Sequence, residues 1–291
     1  MRAILISLLV FGVCGCGEKQ KPLPDVASVE QPLPVAKPVG DPIENSIGMV
    51  LVPIPAGEFM MGSRLPAAEV AKRFNDDAEF FKNEHPRHRV TLTKSFHLGR
   101  TEVTQGQWEA VMGTTPWKGK PFFKEGDDYP ATYVSWEDAV EFCRKLSETE
   151  GVEYRLPMDA EWEYACRAGT TTAYSFGDDE SQLDEYAWIK ENTYNVGGEA
   201  YAHTVGQKKP NPWGLYDMHG NVWEWCQDWS GEYPSGDVTD PAGPDSGSDR
   251  VIRGSGWGLN AWHCRSAIRY RGSPSNRGDS LGFRVLRSSA K

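Results

Sequence analysis

From Gly169 to the C-terminus, glycine, proline or asparagine interrupts the chain every few residues. No other feature constrains the fold as much. Glycine weakens helix and strand interiors and proline removes a backbone donor, so neither a long helix nor an unbroken strand can run through this half. Yet the chain also carries eleven Trp, eleven Tyr and eleven Phe beside its thirty Gly. Those rings demand burial, and the two facts together imply an aromatic core held by long ordered loops. A long-helix protein would carry more Leu and Ala and far less Gly. There is no internal repeat and no alternation of strands with long helices, so a parallel α/β sheet is not expected.

Regular elements are expected mainly before Gly169. Met49–Ile54 and Glu58–Met61 read as two short strands around the Pro55-Ala56-Gly57 turn. Residues 64–84 are charged with a few aromatics and read as a surface helix or loop, and Arg89–Thr93 alternates as a half-buried strand does. Thr104 opens a helix over Gln105–Met112, with Trp108 and Met112 on one face. The clearest helix runs from Trp136 to about Glu148. Ser135 caps it, Asp138 completes a variant capping box, and Ala139, Phe142, Cys143 and Leu146 form its apolar stripe. Another helix follows Asp159, with Trp162, Ala165 and Cys166 at helical spacing, and stops at Gly169. Later strands are expected at Arg250–Arg253, Ser266–Arg271 and Phe283–Arg287.

The N-terminus reads as an export signal. Arg2 precedes the apolar run from Ala3 to Val13, which is too short to serve comfortably as a permanent membrane span. Val13-Cys14-Gly15-Cys16 follows and resembles a lipobox, with Val13 where Leu is more usual. Residues 1–15 are therefore expected to be a lipoprotein signal peptide, with Cys16 acylated. An ordinary signal peptide cut nearby is the alternative. Several acyl chains on one cysteine exceed the marginal affinity of a single chain, so Cys16 would be the membrane partner. Residues 16–43 carry Pro22, Pro24, Pro32, Pro34, Pro38 and Pro42 and no aromatic residue, as a semi-rigid tether does. The globular domain is expected over 44–289, anchored to a bacterial membrane on its periplasmic or cell-surface side. A net charge of −10 argues against nucleic acid or anionic lipid as the main partner.

Ordered sequence motifs run from Ser46 to Arg287. They are Met49-Val50-Leu51-Val52-Pro53 with Gly57-Glu58-Phe59-Met60-Met61-Gly62, then Glu84-His85-Pro86, Glu102-Val103-Thr104, and Val134-Ser135-Trp136-Glu137-Asp138-Ala139. After them come Arg155-Leu156-Pro157 with Glu161-Trp162-Glu163-Tyr164-Ala165, Asn211-Pro212-Trp213-Gly214-Leu215-Tyr216-Asp217 continuing to Gly220-Asn221-Val222-Trp223-Glu224-Trp225, and Leu281-Gly282-Phe283-Arg284. Each piece is weak alone. In this order they resemble the formylglycine-generating-enzyme, or sulfatase-modifying-factor, family. The resemblance implies an α+β, C-type-lectin-like fold with little regular secondary structure and long ordered loops.

It also implies a structural calcium held by Asp217, the carbonyls of Gly220 and Val222, and Glu224. Hard carboxylate and carbonyl oxygens suit that ion. The alternative is that Trp223 and Trp225 are core and Glu224 makes a local salt bridge. Catalytic members of the family are expected to hold copper(I) on two cysteines five residues apart and use oxygen to convert a sulfatase cysteine to formylglycine. Here Cys264 falls on the second cysteine, Leu259 on the first, and Gly256 on a serine. Leucine cannot ligate copper, whose soft ion prefers sulfur.

Four cysteines remain after export, and an even number in an exported domain suggests disulfides. The expected pairs are Cys143–Cys166 and Cys226–Cys264. For Cys264, a two-sulfur metal site with Cys226 and a buried free thiol are the other readings. His85, His88 and His263 lack the spacing of a zinc site, and no GxSxG, P-loop or GxGxxG element supports a hydrolase or nucleotide-binding class. Two functions follow as expectations. One is a binding or scaffold module with a protein, peptide or glycan ligand; the other is a copper- and oxygen-dependent formylglycine-generating oxidase.

Overall fold

A computed structural model describes residues 36–289 apart from 39, 197 and 198. The expected signal peptide, Cys16 and the tether up to residue 35 lie outside the described residues. In chain order the elements are β1 (Ile43–Glu44), β2 (Val50–Ile54), β3 (Gly57–Met61), α1 (Ala67–Phe74), β4 (His88–Leu92), β5 (Phe96–Gly99), α2 (Gln105–Met112) and α3 (Trp136–Glu150). They continue with β6 (Tyr154–Arg155), α4 (Asp159–Arg167), β7 (Trp223–Trp229), β8 (Val238–Thr239), β9 (Arg250–Arg253), β10 (Tyr270–Gly272), β11 (Leu281–Gly282) and β12 (Leu286–Ser288). The domain is α+β, with short elements joined by long ordered loops. Ile43 already pairs with Leu51, so the sheet begins one residue before the expected boundary at 44.

Three sheets form, with orders β1-β2-β5-β12-β6, β10-β9-β7-β11 and β3-β4-β8. β2 and β3 are the two expected strands around Pro55-Ala56-Gly57, but they do not pair with each other. β2 lies against β1 and β5, whereas β3 lies against β4, so the turn carries the chain from one sheet into the next. Two expected strands behave differently. Ser266–Arg271 contributes only from Tyr270 onward, because Arg269 instead buries its guanidinium against Asp159. Phe283–Arg287 is strand only from Leu286, and Phe283–Val285 link β11 of one sheet to β12 of another. Arg284 is fully buried and donates to the Gly99 and Tyr216 carbonyls, which turns the chain between β11 and β12.

The helices are set by their caps. The Thr104 hydroxyl accepts from the Gln107 amide at 3.3 Å, and the Gln107 side chain accepts from the Thr104 amide at 3.1 Å. Ser135 and Asp138 make the same reciprocal pair at 3.2 and 2.9 Å. Each such cap satisfies donors that the first helical turn leaves open. α3 ends where Gly151 takes a φ of 67°, and its stripe of Ala139, Phe142, Cys143 and Leu146 is buried as expected. That stripe joins a cluster with Trp108, Trp117, Trp225 and Phe283. A second cluster surrounds Trp162, Tyr164 and Trp213, and a third surrounds Tyr174 and Leu183.

The disulfide expectation is corrected here. Cys143, Cys166, Cys226 and Cys264 are all free and buried. Cys143 belongs to the first cluster, Cys166 and Cys226 to the second, and Cys264 to the third, so the members of each expected pair pack into different parts of the core. Cys143 and Cys166 face inward because they lie on the apolar stripes of two helices, where a thiol behaves as a small hydrophobe.

Candidate functional site

Two groups of buried charges brace the loops. The first centres on α4. Arg253 donates to Asp159 at 2.6 Å, to Glu163 at 2.8 Å and to the Tyr233 hydroxyl at 2.8 Å. Arg269 donates to the other Asp159 oxygen at 2.7 Å, and Arg167 donates to Glu163 at 2.8 Å. Burial opposes ionisation of Asp159, but the two guanidiniums outweigh it and hold its pKa below the usual value. Asp228 lies beside this group and accepts from the Asp159 amide at 2.7 Å. Burial, reinforced by the Asp159 charge, pushes Asp228 up to about 7.

The second group contains Asp217 and Glu224, the two side chains expected to ligate calcium, and adds Glu102, Asn221 and Arg284. All five are almost completely buried. Arg284 clamps Glu224 through Nε at 2.6 Å and Nη2 at 2.7 Å, and Trp162 Nε1 donates to the same carboxylate at 2.7 Å. Glu224 is thus salt-bridged, but to Arg284 and not to the local partner of the alternative reading. Asn221 donates to Glu102 at 3.2 Å, and the Gly206 amide donates to Asp217 at 2.7 Å. One oxygen of each remains orphaned: Glu102 Oε2 and Asp217 Oδ1 are buried without a hydrogen-bond partner. Burial, and then Asp217, raise Glu102 well above the carboxylate range; burial chiefly raises Asp217 to about 6.

Three carboxylates here face one guanidinium. Orphaned buried oxygens in such a place fit a hard cation, since an unpaired buried acceptor is costly. Among the described residues no group of three or more His, Cys, Asp or Glu side chains is arranged to hold a metal by itself. A calcium here therefore depends on carbonyl oxygens as well as Asp217. Asp217 and Asn221 both take positive φ, 60° and 66°, at the two ends of the turn that carries Gly220. Gly220 has to be glycine for another reason: a Cβ there would lie 2.4 Å from the Trp188 carbonyl oxygen.

The segment that resembles the copper-binding stretch of catalytic members follows β9. Gly254 has a φ of 92° and Ser255 one of 74°, and a 3-10 turn spans Ala261–Cys264. Leu259 is half-buried; its amide donates to the Gly256 carbonyl and its carbonyl accepts from the Lys190 amide. Cys264 is buried, and its thiol donates to the Asn260 carbonyl at 3.5 Å. Burial pushes that thiol up to about 12. The Cys264 carbonyl accepts from His219 Nδ1 at 2.8 Å, while His219 Nε2 accepts from the Ser175 amide at 3.1 Å. Both ring nitrogens of His219 are thus engaged, and burial lowers its pKa to about 4, so it is a neutral structural histidine. At Gly256 an added Cβ would stand 3.1 Å from Ser280 Cβ, so Ser280 crowds the place expected for a serine. His88 Nδ1 lies 3.0 Å from the Pro86 carbonyl, and His85 Nε2 is buried without a hydrogen-bond partner.

Sequence reasoning quoted Glu102 and Arg284 within motifs but gave them no role. The available signal was a charged residue inside an apolar stretch, as in Leu281-Gly282-Phe283-Arg284.

Fold and site together define a class: a loop-built α+β domain whose loops are cross-braced by buried arginine–carboxylate groups. A family model described as "Sulfatase-modifying factor enzyme 1-like domain" matches residues 37–289. The formylglycine-generating enzyme of Bos taurus is 32% identical, over 94% of this chain and 85% of that protein. Chaperone protein LppX of Paenibacillus barcinonensis is 29% identical, over 71% of this chain and 85% of its own length. Among solved structures, Treponema denticola variable protein 1 superposes with a TM-score of 0.73 at 29% identity, covering 86% of this chain and all of that one. The chain belongs to the formylglycine-generating-enzyme (sulfatase-modifying-factor) family.

Proposed function

We propose that the chain is a lipid-anchored member of this family that acts as a binding or scaffold module and not as a formylglycine-generating oxidase. One observation carries the reading: there is no thiol pair. Leu259 stands at one expected thiolate position. Cys264, at the other, is a buried thiol raised to about 12 and donating to a carbonyl. A reactive cysteine needs the thiolate, and burial here disfavours it, while Leu259 offers no second sulfur for a soft metal. That a relative is named as a chaperone protein supports a role other than oxidation. Cys226 does not make up a pair with Cys264, since the two pack into different parts of the core.

The test is direct. The full-length protein, incubated with copper(I), oxygen and a sulfatase-type cysteine peptide, is expected to yield no aldehyde by mass spectrometry. Robust aldehyde formation overturns the reading in favour of the oxidase. Calcium forms part of the same proposal, with Asp217 and the Gly220 and Val222 carbonyls as ligands and Glu224 shared with Arg284. When bound, it would neutralise the excess negative charge and fix the turn. Attachment to an exported membrane surface through Cys16 is the remaining part. Cys16→Ser is expected to abolish labelling by a palmitate analogue, and persistent labelling would rule that residue out.

A further inference from the structure

The family resemblance gives calcium two carboxylates, Asp217 and Glu224, but only one of them is open. Glu224 is fully buried and accepts from Arg284 Nε at 2.6 Å, from Arg284 Nη2 at 2.7 Å and from Trp162 Nε1 at 2.7 Å. A carboxylate offers about four acceptor positions, so three are taken. Arg284 also donates to the Gly99 and Tyr216 carbonyls at 2.9 and 3.0 Å, and it could not leave Glu224 without stranding them. Glu224 therefore belongs to the frame.

The open acceptors are on Glu102 and Asp217, each 1% exposed. The chain brings them together through its backbone. The Tyr216 amide donates to the Arg100 carbonyl and the Val103 amide to the Phe283 carbonyl, both at 2.9 Å, which sets the stretches before α2, before the Gly220 turn and beside Arg284 against one another. The two carboxyl groups lie within hydrogen-bonding reach of each other.

Asn221 fixes how Glu102 is presented. Its Oδ1 accepts from the His203 amide at 2.8 Å, so its NH2 end is the one that meets Glu102 Oε1, at 3.2 Å. Glu102 Oε2 is left with no partner. Asp217 is presented in the same way: Oδ2 accepts from the Gly206 amide at 2.7 Å, and Oδ1 has no partner. Two adjoining carboxylates, each held by one oxygen and open at the other, cannot donate to each other. They need a positive charge between them.

We infer that Glu102 and Asp217 are the carboxylate pair that holds calcium, and that Glu224 serves beside them as the fixed partner of Arg284. Ionised, Glu102, Asp217 and Glu224 against Arg284 leave two negative charges, which is the charge of one calcium ion. That ion accepts mixed carboxylate and carbonyl oxygens in flexible geometry, so carbonyls of the turn over 217–222 can complete its shell. Glu102 is thereby a ligand that the resemblance does not assign.

This rests on the calcium part of the reading above and changes one of its ligands. The experiment titrates calcium chloride into the full-length protein, freed of metal by chelator, in a calorimeter, and records melting temperatures in chelator. The wild type should bind one ion per chain. Glu102→Gln should bind about tenfold or more weaker, because calcium affinity follows the number of charged ligands. In chelator it should melt no lower than the wild type, since a buried charge with an open oxygen has gone while an acceptor for Asn221 remains. Glu224→Gln should do the reverse, lowering the melting temperature in chelator and weakening calcium less than Glu102→Gln does. Unchanged affinity in Glu102→Gln overturns the assignment of Glu102 and leaves the calcium reading standing. A lower melting temperature of Glu102→Gln in chelator makes Glu102 a structural residue and overturns it too. No calcium binding by the wild type removes both.

Discussion

The two buried charge groups are built from the same parts and reach opposite outcomes. Around α4, Asp159, Glu163 and Asp228 are matched in number by Arg167, Arg253 and Arg269. In the second group Glu102, Asp217 and Glu224 share only Arg284. The first is balanced in charge and saturated in hydrogen bonds, with its guanidiniums also donating to backbone carbonyls such as that of Ile268. The second keeps two orphaned oxygens. In the matched group only Asp228 is driven toward its protonated form, whereas the unmatched group holds two orphaned oxygens that must take up protons or a cation. The difference separates residues that hold the fold from residues that wait for a partner.

The comparison breaks most visibly at Arg253. Arg253→Met should leave Asp159 and Glu163 with one guanidinium each, Arg269 and Arg167, and lower unfolding free energy by about 3 kcal/mol in chemical denaturation. A loss under 1 kcal/mol would mean that the group is not the frame described. Calcium gives the next largest effect. At a hundredfold excess over its dissociation constant, calcium should stabilise the wild type by about 2.7 kcal/mol, read as a rise in melting temperature that chelator reverses. Asp217→Ala should abolish that response. A wild-type melting curve indifferent to both calcium and chelator would leave protons as what balances the second group.

Asp228 provides the finer test, because it is the one strained acid of the balanced group. Its folded pKa, about 7, lies above the ordinary value of 3.8. The folded state therefore holds the proton more tightly than the unfolded one. This contribution to stability is complete below about pH 4 and is lost as pH rises through about 7. Asp228→Asn keeps an acceptor for the Asp159 amide and removes the titration. The variant should gain on the wild type by on the order of 2 kcal/mol between pH 5 and 8. Parallel stability curves would show that Asp228 stays ionised throughout.

Much of the fold was legible in the chain because local rules and tertiary packing agreed. The capping box at Ser135 and the apolar stripe of α3 are local and stand where the residue pattern places them, although the helix runs past Glu148 to the αL stop at Gly151. β7 was not expected as a strand: the stretch was read as part of a calcium site, with core tryptophans as the alternative. Trp223–Trp229 carries Glu224 and Asp228 on a strand, and their burial depends on arginines about 60 and 41 residues further on. Nothing nearby in sequence announces that pairing. The site was legible in the same uneven way. Asp217 and Glu224 were found from their motif, whereas Glu102 joins them only because α2 begins beside the Asn221 turn.

By itself the sequence determined the class of architecture, since frequent glycine and proline with many aromatic rings admit short elements and long loops and little else. It determined the family, through motifs whose order no local physics requires. It also determined that position 259 carries leucine and no thiol, because a side chain that is absent cannot be supplied by folding. Only the tertiary structure decided the states of the groups that remain. Whether a cysteine is bridged or free, whether a carboxylate is paired or orphaned, and whether a phenylalanine is core or rim depend on neighbours far along the chain. Those neighbours set burial and local charge, and these in turn set hydrogen bonding and protonation. Cys264 shows this most plainly: the chain allowed it a disulfide, a metal or a buried thiol, and packing against Tyr174 and Leu183 left it the last.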